Sequence, residues 1–199
     1  KHGVLRGFEP EHCLTGWWTM RRSVQHTWPV PVEPGTGLFP PESGPLHIEG
    51  QTFRTGDGAL WQWRGFSWFL GFLRYCRGED LTPDLRWLRE HGFNLVRIFG
   101  PLPWTETPDY RAEQFAYDKL GAFFTLLADH GLRCEFVPLC YRFDAGLTKT
   151  LLQRVYDIAQ DYWNVLIEVC NEPKVGDKPD PIVALHGVNR HGILTAYGE

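Results

Sequence analysis

No glycine-rich phosphate loop follows any apolar run of this sequence, neither G-x-G-x-x-G nor G-x-x-x-x-G-K-[ST], which argues against a nucleotide-binding α/β protein. Cysteine is sparse. Cys13, Cys76, Cys134, Cys140 and Cys170 are odd in number, form no C-x-x-C pair and lie mostly in apolar runs, so buried free thiols are expected instead of a disulfide framework. The eight histidines show neither H-x-x-x-H nor Cys/His ligand spacing. No structural metal and no cofactor are therefore expected. Hydrophobic runs are short, and residues 1–30 lack the basic start and continuous apolar segment of a secretory signal; no membrane partner is expected and localisation is left open. Acids and bases are interspersed, with a formal net charge of −4 and no basic stripe, which disfavours nucleic acid as a partner. Methionine occurs once, at Met20, and the first residue is Lys1. The chain is thus expected to begin inside a longer translation product, to be processed, or to carry an upstream extension.

What is present is 199 residues, 43% hydrophobic and 22% charged, the balance of one globular domain with an ordinary core. Nine Trp, thirteen Phe and seven Tyr suit either that core or a cleft that stacks flat apolar faces such as those of sugars. Residues 1–46 are dense in breakers (Pro29, Pro31, Pro34, Gly35, Gly37, Pro40, Pro41, Gly44, Pro45) and form an extended arm. Whether its Trp17-Trp18 pair packs on the domain is open. From His47 the pattern changes to His47–Arg54, a Thr55–Gly58 turn and Ala59–Phe69, expected as a strand, a turn and a second strand.

Leu81, Leu85 and Leu88 share one face of an expected helix with Thr82 as N-cap, Pro83 at its first position and Gly92 as its stop. Phe93–Gly100 is then a buried strand holding one charge, Arg97. A lone arginine in an apolar strand is costly unless an anion faces it, so a structural carboxylate or an active-site acid must do so. Residues about 110–130 form the next helix, stopped by Gly131; Leu132–Cys140 forms the next strand, with Pro138 tolerable near its end or at a bulge. Residues about 147–162 are helical, Val165–Val169 is a buried strand closed by Asn171-Glu172-Pro173, and Ile193–Tyr197 is the fifth strand. Strand starts near Trp61, Phe93, Leu132, Asn164 and Ile193 lie 32, 39, 32 and 29 residues apart, the rhythm of repeated βαβ units. A closed (β/α)8 TIM barrel needs roughly 250 residues, so residues 47–199 are expected to be its amino-terminal part, about the first five strands.

Glu172 and Asn171 stand at the carboxyl end of a barrel strand, where such folds keep their chemistry. Glycoside hydrolysis needs two carboxyl groups, and Glu172 has the position of one of them. A Glu before Pro at a strand end could equally cap the next helix, and the residues alone leave both readings open. Beyond that, Trp63-Arg-Gly-Phe-Ser-Trp68, Gly92-Phe-Asn-Leu-Val-Arg97, Gly131-Leu-Arg-Cys-Glu-Phe136 and Glu168-Val-Cys-Asn-Glu-Pro173, in this order, resemble the clan A glycoside hydrolases, especially the cellulase-like, family 5 type barrels. The resemblance spans about His47 to Glu199. It implies a retaining glycosidase acting on O-glycosidic bonds of a poly- or oligosaccharide, with Glu172 as general acid/base, Asn171 hydrogen-bonded to the sugar 2-hydroxyl and Arg97 orienting the nucleophilic carboxylate. Within the sequence, Glu168 is the other visible partner for Arg97. The family's nucleophile is a second Glu at the end of the seventh strand; Glu199 lies two strands early and is not assigned that role.

Trp68, Trp104, Tyr141 and Tyr197 follow or close expected strands and are candidates to line sugar subsites, with simple packing the competing reading of each. Asp144 fits a helix cap better than a sugar ligand, and His186 and His191 fit a solvated connection. A non-catalytic carbohydrate-binding or structural half-barrel is the alternative to the enzyme; its open sheet edges would favour self-association.

Overall fold

The computed structural model describes residues 44–101, 115–140, 145–171, 188 and 192–196. The chain enters as an antiparallel meander of β1 (His47–Glu49), β2 (Thr52–Arg54) and β3 (Leu60–Trp61). The turn between β2 and β3 is fastened by the Thr55 hydroxyl donating to Asp57, whose carboxylate also accepts from the Ala59 N–H at 3.2 Å. Those bonds favour the ionised form and hold the Asp57 carboxyl below its ordinary value, the Thr55 hydroxyl contributing most.

Ala59–Phe69, expected as one strand, is two. After β3 the chain leaves the meander and re-enters as β4 (Gly65–Ser67), the first strand of a separate parallel sheet. Asn94 makes the break tolerable. Its side-chain oxygen accepts from Arg64 N–H at 2.9 Å and its amide donates to Gln62 C=O at 2.7 Å, so backbone groups between the two strands find partners outside a ladder.

The parallel sheet continues with β5 (Leu95–Phe99), β6 (Arg133–Val137), β7 (Val165–Glu168) and β8 (Thr195–Ala196). Its order is β4-β5-β6-β7-β8, every pair parallel and chain order kept throughout. A doubly wound sheet reverses direction at a switch point, whereas a barrel adds each strand beside the last. The fold is a partial (β/α)8 barrel.

The helices are α1 (Gly71–Cys76), α2 (Thr82–Glu90), α3 (Leu120–Asp129), preceded by a 3-10 turn at Tyr117–Lys119, and α4 (Ala145–Ala159). Thr82 is not the N-cap expected for α2: Leu81 occupies that position and Thr82 is the first helical residue. The capping is done from one position earlier, by the Asp80 carboxylate accepting from Thr82 N–H at 2.9 Å. That bond is the main reason the Asp80 carboxyl lies below its ordinary value. At the other ends the glycine stops hold. Gly92 (φ 79°) and Gly131 (φ 67°) adopt the left-handed conformation, and the next residues bond back five positions, Phe93 N–H to Leu88 C=O and Leu132 N–H to Leu127 C=O. Each helix is thereby turned directly into its strand. Pro138 falls just past β6 and removes no ladder bond within it.

Strand alternation sorts the sheet into two faces. Val96, Ile98, Cys134, Phe136, Val165 and Ile167 are buried in the main core together with the helices, through residues such as Leu85, Leu88, Phe123, Phe124 and Val155. On the opposite face Leu95 and Leu166 pack with Trp61, and the meander's Phe53 and Trp63 close around them. This is an apolar plug at the amino-terminal end of the strands. Arg133 lies beside it, its guanidinium over Trp163 at 4.9 Å and Trp61 at 5.7 Å while donating to Gly44 C=O at 2.9 Å.

Candidate active site

One layer above the plug, toward the carboxyl ends of the strands, the same face becomes charged. Arg97 is the middle residue of β5 and Glu135 the middle residue of β6, and the parallel register pairs them directly. On β7 the same face continues from Leu166, paired with Glu135, to Glu168 two residues on. Arg97 is 3% exposed. Its anion is Glu168: Nε donates to Oε2 and Nη2 to Oε1, both at 2.5 Å, the bidentate fork that a guanidinium and a carboxylate form best. Glu135 approaches Nε at 3.8 Å, an ionic contact.

The guanidinium has a further partner. Nη2 also donates to the side-chain oxygen of Asn171 at 3.0 Å. Asn171 N–H in turn donates to Leu139 C=O at 3.0 Å, next to the bridge that joins Cys170 to Leu139 beyond the regular strands. Asn171 is therefore held at both backbone and side chain, with the oxygen end of its amide on Arg97 and the donor end opposite. Arg97 itself is stacked over Phe99 at 4.4 Å, and Phe99 lies flat on Phe69 at 4.3 Å and 10°. The arrangement fixes the residue immediately before Glu172 on three strands at once.

Of the residues singled out in the sequence, Arg97 and Asn171 are brought together by direct contact. Trp68 is elsewhere. It is 3% exposed, donates its backbone N–H to Arg97 C=O at 2.9 Å and has Arg74 at 5.7 Å from its ring. Its indole lies so close to Gly71 that a β-carbon there would come within 2.6 Å, so its surroundings are those of core packing, the competing reading made of it. Glu172, Trp104, Tyr141 and Tyr197 lie outside the described residues, as do Trp17, Trp18, Asp144, His186, His191 and Glu199.

Glu135 was not singled out as a site residue. The signal was available: it is the only acid of an apolar strand and takes the same third place in β6 that Arg97 takes in β5. Cysteine chemistry has no support here. Burial pushes the thiols of Cys134 and Cys140 up, and Cys140 donates to Val137 C=O at 3.2 Å. Among the described residues no group of three or more His, Cys, Asp or Glu could hold a metal ion, and no helix is long and apolar enough to cross a membrane. A broad groove of about 980 Å³ runs between α3 and α4, past Asp118, Gly121, Lys149 and Asp157, but none of its lining residues belongs to the Arg97 site.

Solved structures similar to this chain in fold include glycoside hydrolases. No family model matches the sequence, and no curated protein matches it. A protein of Bacteroides vulgatus, whose assignment as a glycoside hydrolase is provisional, is similar at a TM-score of 0.62 and 14% identity, over 81% of this chain and 40% of that one. The beta-glucanase of Saccharophagus degradans, solved with cellotetraose, gives 0.52 and 12% over 76% of this chain and 53% of that one. An exo-beta-1,4-mannosidase of an Opitutaceae bacterium gives 0.51 and 16% over 65% of this chain and 28% of that one. At these identities the likeness is one of fold, and the chain spans about two fifths of the length of the first two structures it matches, 40% and 41%.

Proposed function

We propose that the chain is the amino-terminal part of a retaining glycoside hydrolase of the clan A, cellulase-like type, cutting O-glycosidic bonds of a poly- or oligosaccharide with Glu172 as its general acid/base. The observation that carries this reading is the fork of Arg97 on Glu168 and Asn171 at the carboxyl ends of the barrel strands. A buried arginine spent on the residue before a glutamate, at the end of a barrel where catalytic groups gather, is poor economy for a cap and good economy for a site. In this reading Asn171, its oxygen held on the guanidinium, turns its amide toward the sugar 2-hydroxyl, and the aromatic candidates Trp104, Tyr141 and Tyr197 supply stacking faces. Retention requires a second carboxyl about 5–5.5 Å from the first, and the reading assigns it to a glutamate on a later strand of the whole protein.

The test is hydrolysis by the full-length protein of β-linked gluco- and manno-oligosaccharides, followed by proton NMR. The first product anomer is expected to keep the β configuration. Release of the α anomer first would remove the retaining mechanism, and no hydrolysis across the panel would remove the glycosidase.

A second reading, a non-catalytic carbohydrate-binding half-barrel, draws on the two edges of the described sheet, where β4 and β8 each have one hydrogen-bonded neighbour. It requires self-association that covers those edges. Sedimentation of the 199-residue chain as a compact monomer would count against it.

A further inference from the structure

Resting on that glycosidase reading, we propose that Glu168 is a positioning residue for the reaction, setting the donor end of Asn171 through Arg97. Glu168 has both carboxylate oxygens on one guanidinium, and the nitrogen that meets Oε1 is the same Nη2 that holds Asn171 Oδ1. A planar group gripped at Nε and Nη2 and stacked on Phe99 has one orientation in which Nη2 reaches Asn171. Arg97 has a second carboxylate within reach. Glu135 lies 3.8 Å from Nε on the neighbouring strand, so a weakened Glu168 lets the guanidinium turn toward β6 and away from Asn171. Glu168 reaches no sugar in this scheme; it acts on substrate only through two other side chains.

A purely structural carboxylate would slow every substrate alike, whereas one that acts through Asn171 affects the contact Asn171 makes. Glucose and mannose differ only at C2, so p-nitrophenyl β-glucoside and β-mannoside share one 2-deoxy counterpart, which lacks the hydroxyl assigned to Asn171. In the full-length protein, Glu168→Gln is expected to lower kcat/KM on the 2-hydroxy substrates by roughly 10- to 100-fold, the scale of a misplaced positioning group, and on the 2-deoxy substrate by less than about threefold. Adding Glu168→Gln to Asn171→Ala is expected to cost nothing further. Glu168→Asp keeps the charge and shortens the arm; it should show the same substrate pattern at smaller amplitude, and it decides the matter if Glu168→Gln does not fold. Equal losses on both substrates, or losses that add to those of Asn171→Ala, overturn the positioning role while leaving the glycosidase intact. A wild-type protein that turns over neither substrate class overturns both.

Discussion

Arg97→Met is the most informative single perturbation of the fold. It deletes a cation that is 3% exposed and leaves Glu168 and Glu135 facing each other with no cation between them from β5. Removing one partner of a buried pair costs about 3–5 kcal/mol, because the remaining charge loses its compensation. Glu168→Leu is expected to cost less, since Arg97 keeps a carboxylate in Glu135, 3.8 Å from its Nε. The double variant removes both ends of the fork and should be more stable than the sum of the single losses implies, by about 0.5–3 kcal/mol of coupling. Urea unfolding of the full-length protein, followed by tryptophan fluorescence, measures all four corners of the cycle. A loss below about 1 kcal/mol for Arg97→Met, or strict additivity in the double variant, would refute the reasoning that this pair is buried and mutually dependent.

Asn94→Ala strands Arg64 N–H and Gln62 C=O at the crossing from β3 to β4 and should cost about 1–3 kcal/mol in the same urea assay. Gly100→Ala puts a β-carbon 2.9 Å from Pro138 C=O and 3.0 Å from Val137 C=O, backbone atoms that cannot turn aside, and should cost about 1–3 kcal/mol. In native alkylation with iodoacetamide at pH 8, half-buried Cys76 should react before the buried Cys134, Cys140 and Cys170, read by mass spectrometry of peptides. Because the Asp57 carboxyl lies below its ordinary value near 3.8 when folded, its bonds to Thr55 and Ala59 stabilise the turn above that value and are lost as the pH falls through the lower, folded one. A carboxyl carbon titration by NMR that places Asp57 at or above the ordinary value would contradict this.

Much of the barrel was legible because each unit carries its own punctuation. Gly92 and Gly131 end helices in the left-handed conformation that glycine adopts without strain, and the apolar runs after them are strands buried on both faces. Length and spacing left open a doubly wound sheet, which the pairing of neighbours in chain order excludes. The break between Trp61 and Gly65 was not legible, since Leu60–Phe69 is rich in aromatics on both sides of it and its interruption depends on Asn94, some thirty residues away. The N-cap of α2 was misread by one residue because Asp80 and Thr82 are both good capping residues and only the backbone conformation chooses between them. At the site, the demand that Arg97 meet an anion was visible in the sequence. That the anion is Glu168, with Asn171 sharing the same nitrogen, depends on the register of β5 against β6 and of β6 against β7. Trp68, a candidate for a subsite or for simple packing from its place near a strand end, is 3% exposed with its indole against Gly71, a contact that depends on the turn into α1.

On the proposed reading, this network serves a proton-transferring Glu172. The most direct test of that claim is the turnover of unactivated β-linked oligosaccharide by full-length Glu172→Ala, at unchanged urea midpoint. A general acid typically supplies 10²–10⁴-fold, so a fall of about that size is expected, with a much smaller fall on substrates whose leaving group needs no protonation. Turnover within about twofold of wild type on the unactivated substrate would contradict the claim.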